Sequence, residues 1–218
     1  MKKALTMAEL LVTMTIIGAI AVLVLPGFLK DYHNQLYVTK LKKVYEMFDN
    51  AVNQACLDHN VSKFKYTPYR YQGTNSETEK SYYQEFLEKY FKTSNNGDEN
   101  PFAAIRYKKI GVTSSTGSLL SLGSYAKVRL ADGAIVAFMC SATTLSYCRL
   151  IVDVNGADGP NIGGRDLFSM YVNVETNEIY DHQAANNYCG NGSGTPKFAL
   201  QGNGCFGRIL KDNWKMNY

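Results

Sequence analysis

The chain has 218 residues, a formal net charge of +4 and five cysteines. One long helix and one soluble domain of about 150–160 residues account for that length without a third unit. The charge is too small to indicate a nucleic-acid partner. The sequence lacks the motifs of zinc proteases, P-loop nucleotidases and serine hydrolases, so we do not expect an enzyme.

Residues 5–29 form an almost unbroken apolar run in which Glu9 is the one ionisable side chain. A helix over these 25 residues reaches roughly 37 Å, enough to cross a hydrocarbon core of ~30 Å. Lys2 and Lys3 precede the run, and the positive-inside bias therefore predicts a cytoplasmic N-terminus and an exported remainder.

Glu9 is costly in lipid, and two interpretations of it are open. In the first, the carboxylate lies near the membrane surface without a partner, either protonated or extended towards water. In the second, the carboxylate is paired with a cation within the membrane.

The segment from Ala4 to Val12 resembles the processing site of type IV pilins and of the pseudopilins of type II secretion. The shared features are a basic leader that ends in a small residue, then an apolar residue, a Glu four residues later and a continuous apolar stretch. Ala4 and Leu5 stand where most members of that family have Gly and Phe.

The resemblance implies cleavage after Ala4 by a prepilin peptidase, followed by N-methylation of Leu5. It also implies that Glu9 pairs with the α-amine of a neighbouring subunit and so fixes the register of assembly. Gly18 and Pro26 stand where many pilins have a glycine and a helix-bending proline, and we expect Pro26-Gly27 to kink or locally melt the helix.

The chain therefore divides into a leader (1–4), an apolar helix (5–29), an amphipathic continuation (30–60) and an exported head (61–218). We expect an α+β fold, in which the long N-terminal helix packs on an antiparallel sheet as in pilins. The head comprises a tyrosine-rich insertion at about 61–124 and a sheet at about 125–180.

Spacings of three and four residues predict that the helix continues to about Leu57 or His59 along one apolar stripe. The stripe contains Leu41, Val44, Tyr45, Phe48, Val52 and Cys56. A second helix is predicted at about 77–92, its aromatic side packed on the sheet or, alternatively, facing a partner. Strands are predicted at 125–130, 134–140, 149–154, 167–174 and 179–180, and Cys205–Leu210 and Trp214–Tyr218 are predicted to form a terminal strand or clasp.

The cysteines of an exported chain favour disulfides, although their connectivity is open. Cys140 and Cys148 face each other if their strands pair. Cys189 and Cys205 bracket a segment rich in Gly and Asn, which a bridge would restrain. Cys56 would then remain free and buried on the long helix.

The loop after the third long strand contains Asp153, Asn155, Asp158 and Asp166 among glycines. Oxygen ligands on a flexible loop suit calcium, so calcium is a possible cofactor. The alternative is a tight turn in which the Asp and Asn side chains bond their own backbone. The segment also resembles a sheet loop of large pilin-like proteins, and some pseudopilins order such a loop with calcium.

The resemblance implies a structural subunit that polymerises into the pseudopilus of a type II secretion system, with a type IV pilus subunit as the alternative. Its partners would be other pilin-like subunits, the inner-membrane assembly platform and the peptidase. It would lie in the bacterial inner membrane by a single span, with the head periplasmic or extracellular. A membrane-tethered calcium- or ligand-binding protein that does not polymerise is the second alternative.

Overall fold

The computed structural model describes residues 6–70, 76–94, 100–111, 116–141, 146–181, 189 and 200–218. The chain divides into two compact units, Met1–Leu36 and Tyr37–Tyr218. The predicted α+β class is confirmed, since a long N-terminal helix packs against a sheet.

Helix α1 spans Met7–Asp58, 52 residues, with Pro26 inside it. Of the two outcomes expected at Pro26-Gly27, local melting is wrong, because α1 continues through both residues, and the kink stays a prediction. A proline removes one backbone donor, and the neighbouring turns keep their own hydrogen bonds.

The end of α1 is set by a left-handed residue, Asn60, whose φ is 51°. The Asn60 N–H donates to the Leu57 carbonyl at 3.0 Å, and the Val61 N–H donates to the Cys56 carbonyl at 2.9 Å. This pair of bonds is the Schellman motif, which ends a helix at a residue that tolerates positive φ.

From Tyr37 onward, α1 buries one stripe of side chains at spacings of three and four residues. The buried members are Tyr37, Val38, Leu41, Val44, Phe48, Ala51, Val52, Ala55 and Cys56. They belong to the main core together with the inward side chains of the sheet, and the rings of Phe48 and Phe138 lie 6.1 Å apart. The predicted stripe residues Leu41, Val44, Phe48, Val52 and Cys56 thus lie on the buried side of α1.

The sheet contains seven described strands in the order β1-β5-β6-β4-β3-β2, with β7 paired to β6. Their bounds are β1 Lys108–Lys109, β2 Ala126–Arg129, β3 Ile135–Cys140, β4 Tyr147–Asp153, β5 Ile162–Gly163, β6 Leu167–Asn173 and β7 Ile179–Tyr180. The five predicted strands correspond to β2, β3, β4, β6 and β7. The sheet is mixed rather than purely antiparallel, because the two-residue strand β5 pairs in parallel with both β1 and β6.

Helix α2, Ser76–Tyr90, packs its aromatic side on the inner face of the sheet, as expected. The Phe86 ring lies 4.7 Å from Phe138, and the Tyr83 ring lies 5.6 Å from it. The outer face is covered by a second cluster that includes Phe102, Tyr107, Leu122 and Tyr125.

The expectation of a strand at Cys205–Leu210 is wrong, because a short helix, α3, spans Cys205–Lys211. The clasp interpretation holds for Trp214, whose ring lies 5.4 Å from Tyr45 and 6.3 Å from Phe206. The apolar residues Phe206 and Ile209 are three apart and both buried, which suits one side of a helix.

Replacing Phe138 by Ala should destabilise the head by about 3–5 kcal/mol, since it removes a ring that four aromatic side chains contact. Urea unfolding of the full chain in detergent, followed by near-UV circular dichroism, measures the loss. Tyr66→Ala is the matched control, because Tyr66 is 59% exposed. Equal losses in the two variants would show that the Phe138 cluster does not stabilise the head.

Candidate functional site

The first candidate site is the exposed apolar surface of α1. Among the described residues, α1 is the one helix that is long and apolar enough to cross a membrane, by length and composition. Met7 and Leu23 are each 82% exposed. The chain thus has the helix that a single-pass membrane protein requires.

Glu9 and Thr6 form a capping box at the start of α1. The Thr6 backbone N–H and hydroxyl each donate to Glu9 Oε2 at 2.8 Å, and the Glu9 N–H donates to Thr6 Oγ1 at 3.3 Å. In a capping box, two side chains satisfy the backbone donors that a helix N-terminus leaves unpaired. Glu9 therefore has a hydrogen-bond partner within its own chain, and its pairing with the α-amine of a neighbouring subunit stays a prediction.

Thr6 is a residue that the sequence analysis missed, although its signal was present. Thr-x-x-Glu before an apolar run is the sequence pattern of a capping box. Helix termini also favour a negative charge in the first turn, where the backbone dipoles present their positive end. The Thr6 bonds and the helix dipole both offset part of the cost of placing this carboxylate at an apolar helix.

Of the other residues predicted to act in processing or assembly, the structure describes two, Gly18 and Pro26. Gly18 lies inside α1, and a Cβ built on it would meet no atom within 4 Å. Pro26 also lies inside α1. Ala4 and Leu5 lie outside the described residues, so cleavage after Ala4 stays a prediction.

The second candidate site is the loop between β4 and β6, where Asp153 and Asp166 are both fully buried. Asp166 accepts backbone N–H bonds from Asn161 at 2.7 Å and from Ile162 at 2.6 Å. Asp153 accepts the Tyr107 hydroxyl at 2.7 Å and the Asn155 N–H at 3.2 Å. Tyr107, on the segment that covers the outer face, was missed because nothing local in the sequence links it to Asp153.

Asn155 closes the loop from the other side. Its Nδ2 donates to the carbonyl oxygens of Asp158 and Gly159. Gly156 has φ +67°, and a Cβ there would lie 2.6 Å from the Gly133 carbonyl, so only glycine fits the approach to that turn. These contacts are those of the tight turn that the sequence left open as an alternative to a calcium loop.

The electrostatics of the loop favour a proton on Asp153. Burial first, and then the neighbouring charge of Asp166, raises the pKa of Asp153 to about 8. Burial also raises the pKa of Asp166, but its backbone donors, Ile162 and Asn161 first, oppose the shift. Burial and the charge of Asp166 therefore favour a proton on Asp153 near neutral pH.

The fit of this loop to calcium is partial. No group of three potential His, Cys, Asp or Glu ligands converges within the described ranges. Asp158 is exposed at the surface, and the Asp153 and Asp166 side chains accept protein donors. Two buried amide oxygens, Asn155 Oδ1 and Asn161 Oδ1, accept no hydrogen bond from the described residues. Calcium binding stays a prediction.

The disulfides join Cys140 to Cys148 and Cys189 to Cys205, as the sequence analysis expected. The first links β3 to β4, where the two cysteines are directly opposite. The second ties Cys189 to the first residue of α3. Cys56 is free and buried, and burial raises the pKa of its thiol.

Asp153→Asn should remove a pH dependence from the stability of the head. A carboxyl group whose pKa is higher in the folded state stabilises the fold fully at low pH, and that contribution declines between its ordinary pKa of 3.8 and about 8. Urea unfolding of the full chain between about pH 5 and 8.5 should show wild-type stability falling more steeply than that of the variant. Exposed Asp158→Asn is the control, and an equal slope in Asp153→Asn would contradict the assignment.

Comparison of the chain with protein family models, with curated proteins and with solved structures finds no match. The function is therefore argued from the residues and their geometry.

Proposed function

We propose that this protein is a pilin-like structural subunit, which a prepilin peptidase processes and which polymerises into the helical pseudopilus of a type II secretion system. The observation that carries the proposal is the carboxylate of Glu9 in the first turn of an exposed apolar helix. An apolar span needs no acid to cross a membrane, and the Thr6 capping box offsets only part of the cost of this one, so we expect the carboxylate to gain a cationic partner on assembly.

The apolar surface of α1 supports the proposal. Its window of highest hydropathy is entirely unburied within the chain. Packing of this surface against the same surface of other subunits, each displaced by one step, generates a helical filament through heterologous contacts. Gly18, with open space beside it, allows a neighbouring helix backbone to approach closely.

The charge of Glu9 gives such a filament its register. Cleavage after Ala4 creates an α-amine at Leu5, and N-methylation keeps its charge. Docking that brings the carboxylate of one subunit to the amine of the next is favoured over any step that leaves either charge unpaired in lipid. The head remains outside the membrane, bonded by two disulfides that suit an oxidising compartment.

The type IV pilus subunit is the alternative within the same family. It shares the processing site, the apolar helix and the charge pairing, and differs in the machine that the filament serves. The loop that resembles large pilin-like proteins favours the secretion assignment.

Glu9→Gln should abolish filament assembly while the subunit still inserts and is cleaved. Gln accepts the same bonds as Glu in a capping box, so this variant keeps the helix start and removes only the charge. Filaments sheared from cells that express the assembly machinery are quantified by pelleting and electron microscopy. Mass spectrometry of the membrane fraction establishes whether the mature chain begins at methylated Leu5.

Two further variants separate the charge from its surroundings. Glu46→Gln removes an exposed carboxylate farther along α1 and should assemble like wild type. Thr6→Val removes the side-chain donor and keeps the Glu9 charge, and should assemble better than Glu9→Gln. Normal filaments from Glu9→Gln would contradict the proposed role of the charge. Absence of filaments from the wild-type chain would favour a membrane-tethered protein that does not polymerise.

A calcium-dependent head is a second candidate function, favoured by the two amide oxygens of Asn155 and Asn161, which accept no hydrogen bond from the part of the chain that the structure describes. Calcium would bind where these two amide oxygens lie and would displace the proton of Asp153. The affinity of the loop for calcium should therefore increase as pH rises towards 8.

Calcium at ~5 mM, above the range of weak extracellular sites, should raise the melting temperature of the full chain in detergent relative to chelator. Magnesium is the control ion, since it requires a stricter octahedral arrangement. Asn161→Ala should lose the shift, whereas Asp158→Asn should alter it little. A wild-type melting temperature indifferent to calcium would exclude the metal.

A further inference from the structure

Arg149 is a buried cation on the outer face of the sheet. It lies in β4 opposite Met139 of β3 and Tyr171 of β6, and it is 8% exposed. Its guanidinium carbon lies 5.3 Å from the centre of the Tyr171 ring. A buried charge is costly unless it is paired, so its partners decide what the site can bind.

All the acceptors that Arg149 contacts in the described part of the chain are neutral. Its Nη2 donates to Ser169 Oγ and to Asn203 Oδ1, both at 2.7 Å, and its Nη1 donates to the Tyr125 hydroxyl at 3.4 Å. No carboxylate within the described ranges forms an ion pair with it. Asp181, which is also buried, accepts the N–H groups of Gly204 and Gly207 at the start of α3.

Two buried donors, one on this guanidinium and one on the amide that it contacts, have no acceptor among the described residues. They are Arg149 Nε and Asn203 Nδ2, and Asn203 is fully buried. Arg149 fixes the orientation of the Asn203 amide, because its Nη2 can only donate and lies 2.7 Å from Oδ1, which also accepts the Tyr171 hydroxyl at 3.2 Å. Nδ2 is therefore a true donor, since a flipped amide would set donors against donors.

We propose that Arg149 and Asn203 bind a small monovalent anion, chloride in the first instance, which accepts hydrogen bonds from Arg149 Nε and Asn203 Nδ2. One ion supplies the missing negative charge and both missing acceptors. The burial of both residues excludes a large ligand, and a neutral water would leave the guanidinium uncompensated. The site concerns the head alone and does not depend on the proposed polymerisation.

Chloride should raise the melting temperature of the full chain in detergent. The comparison is between sodium chloride and sodium gluconate at equal ionic strength, so that general screening is constant. An ion that binds only the folded state shifts the melting temperature with its concentration, here by on the order of 5 °C at saturating chloride. A wild-type melting temperature that does not respond to the exchange overturns the proposal.

Asn203→Asp tests the site itself. Aspartate keeps the oxygen that accepts hydrogen bonds from Arg149 and Tyr171. It replaces the Nδ2 donor with a second carboxylate oxygen and so adds a negative charge. This variant should melt higher than wild type in gluconate and should no longer respond to chloride. An unchanged chloride shift in Asn203→Asp overturns the proposal.

Arg149→Met should also lose the chloride response, although its melting temperature falls because three hydrogen bonds disappear. Arg106→Met is the control, since it removes one exposed positive charge next to Tyr107, which belongs to the cluster on the outer face. It should keep the full chloride shift. Loss of the shift in Arg106→Met would show a general charge effect and contradict a site at Arg149.

Discussion

The packing of the α1 stripe onto the inner face of the sheet is the constraint from which the rest of the head follows. Residues 37–56 of the helix present aliphatic and aromatic side chains every three or four positions, and the strands present theirs every second position. Phe48 meets Phe138, and α2 adds Phe86 and Tyr83 from the adjacent side. Neither the helix nor the sheet could leave this surface in water, so each requires the other.

That packing also decides which side chains lie on the outer face. In β4, Leu150 and Val152 point into the main core, and Arg149 and Asp153 consequently point outward. The second cluster, which contains Tyr107 and Tyr125, covers the side chains of Arg149 and Asp153. These two side chains do not pair with each other. A proton neutralises Asp153, and the proposed anion neutralises Arg149. Strand β4 thus carries two buried ionisable side chains, and each is neutralised in a different way.

The elements that sequence patterns predicted well are those with local or strongly periodic signals. The stripe of α1, the aromatic side of α2 and the hairpin of β2 and β3 were found because apolar spacing and a turn at Asp132-Gly133 define them. The two-residue strands β1 and β5 lack any such period, and α3 is too short for one. The contacts of Asp153 with Tyr107 and of Arg149 with Asn203 join residues 46 and 54 positions apart, and only the folded sheet brings them together.

The capping box changes what the Glu9 carboxylate contributes to the proposed assembly. In the unassembled subunit, the carboxylate already accepts the backbone and hydroxyl donors of Thr6. The carboxylate therefore contributes to docking only the difference between the free energy of pairing with a neighbouring amine and that of its bonds to Thr6. This difference is smaller than the full cost of an unpaired charge in lipid. In the proposed assembly, a subunit capped in this way would remain in the membrane until it meets a neighbour, and its docking would stay selective because only the register that offers a cation improves on the Thr6 bonds.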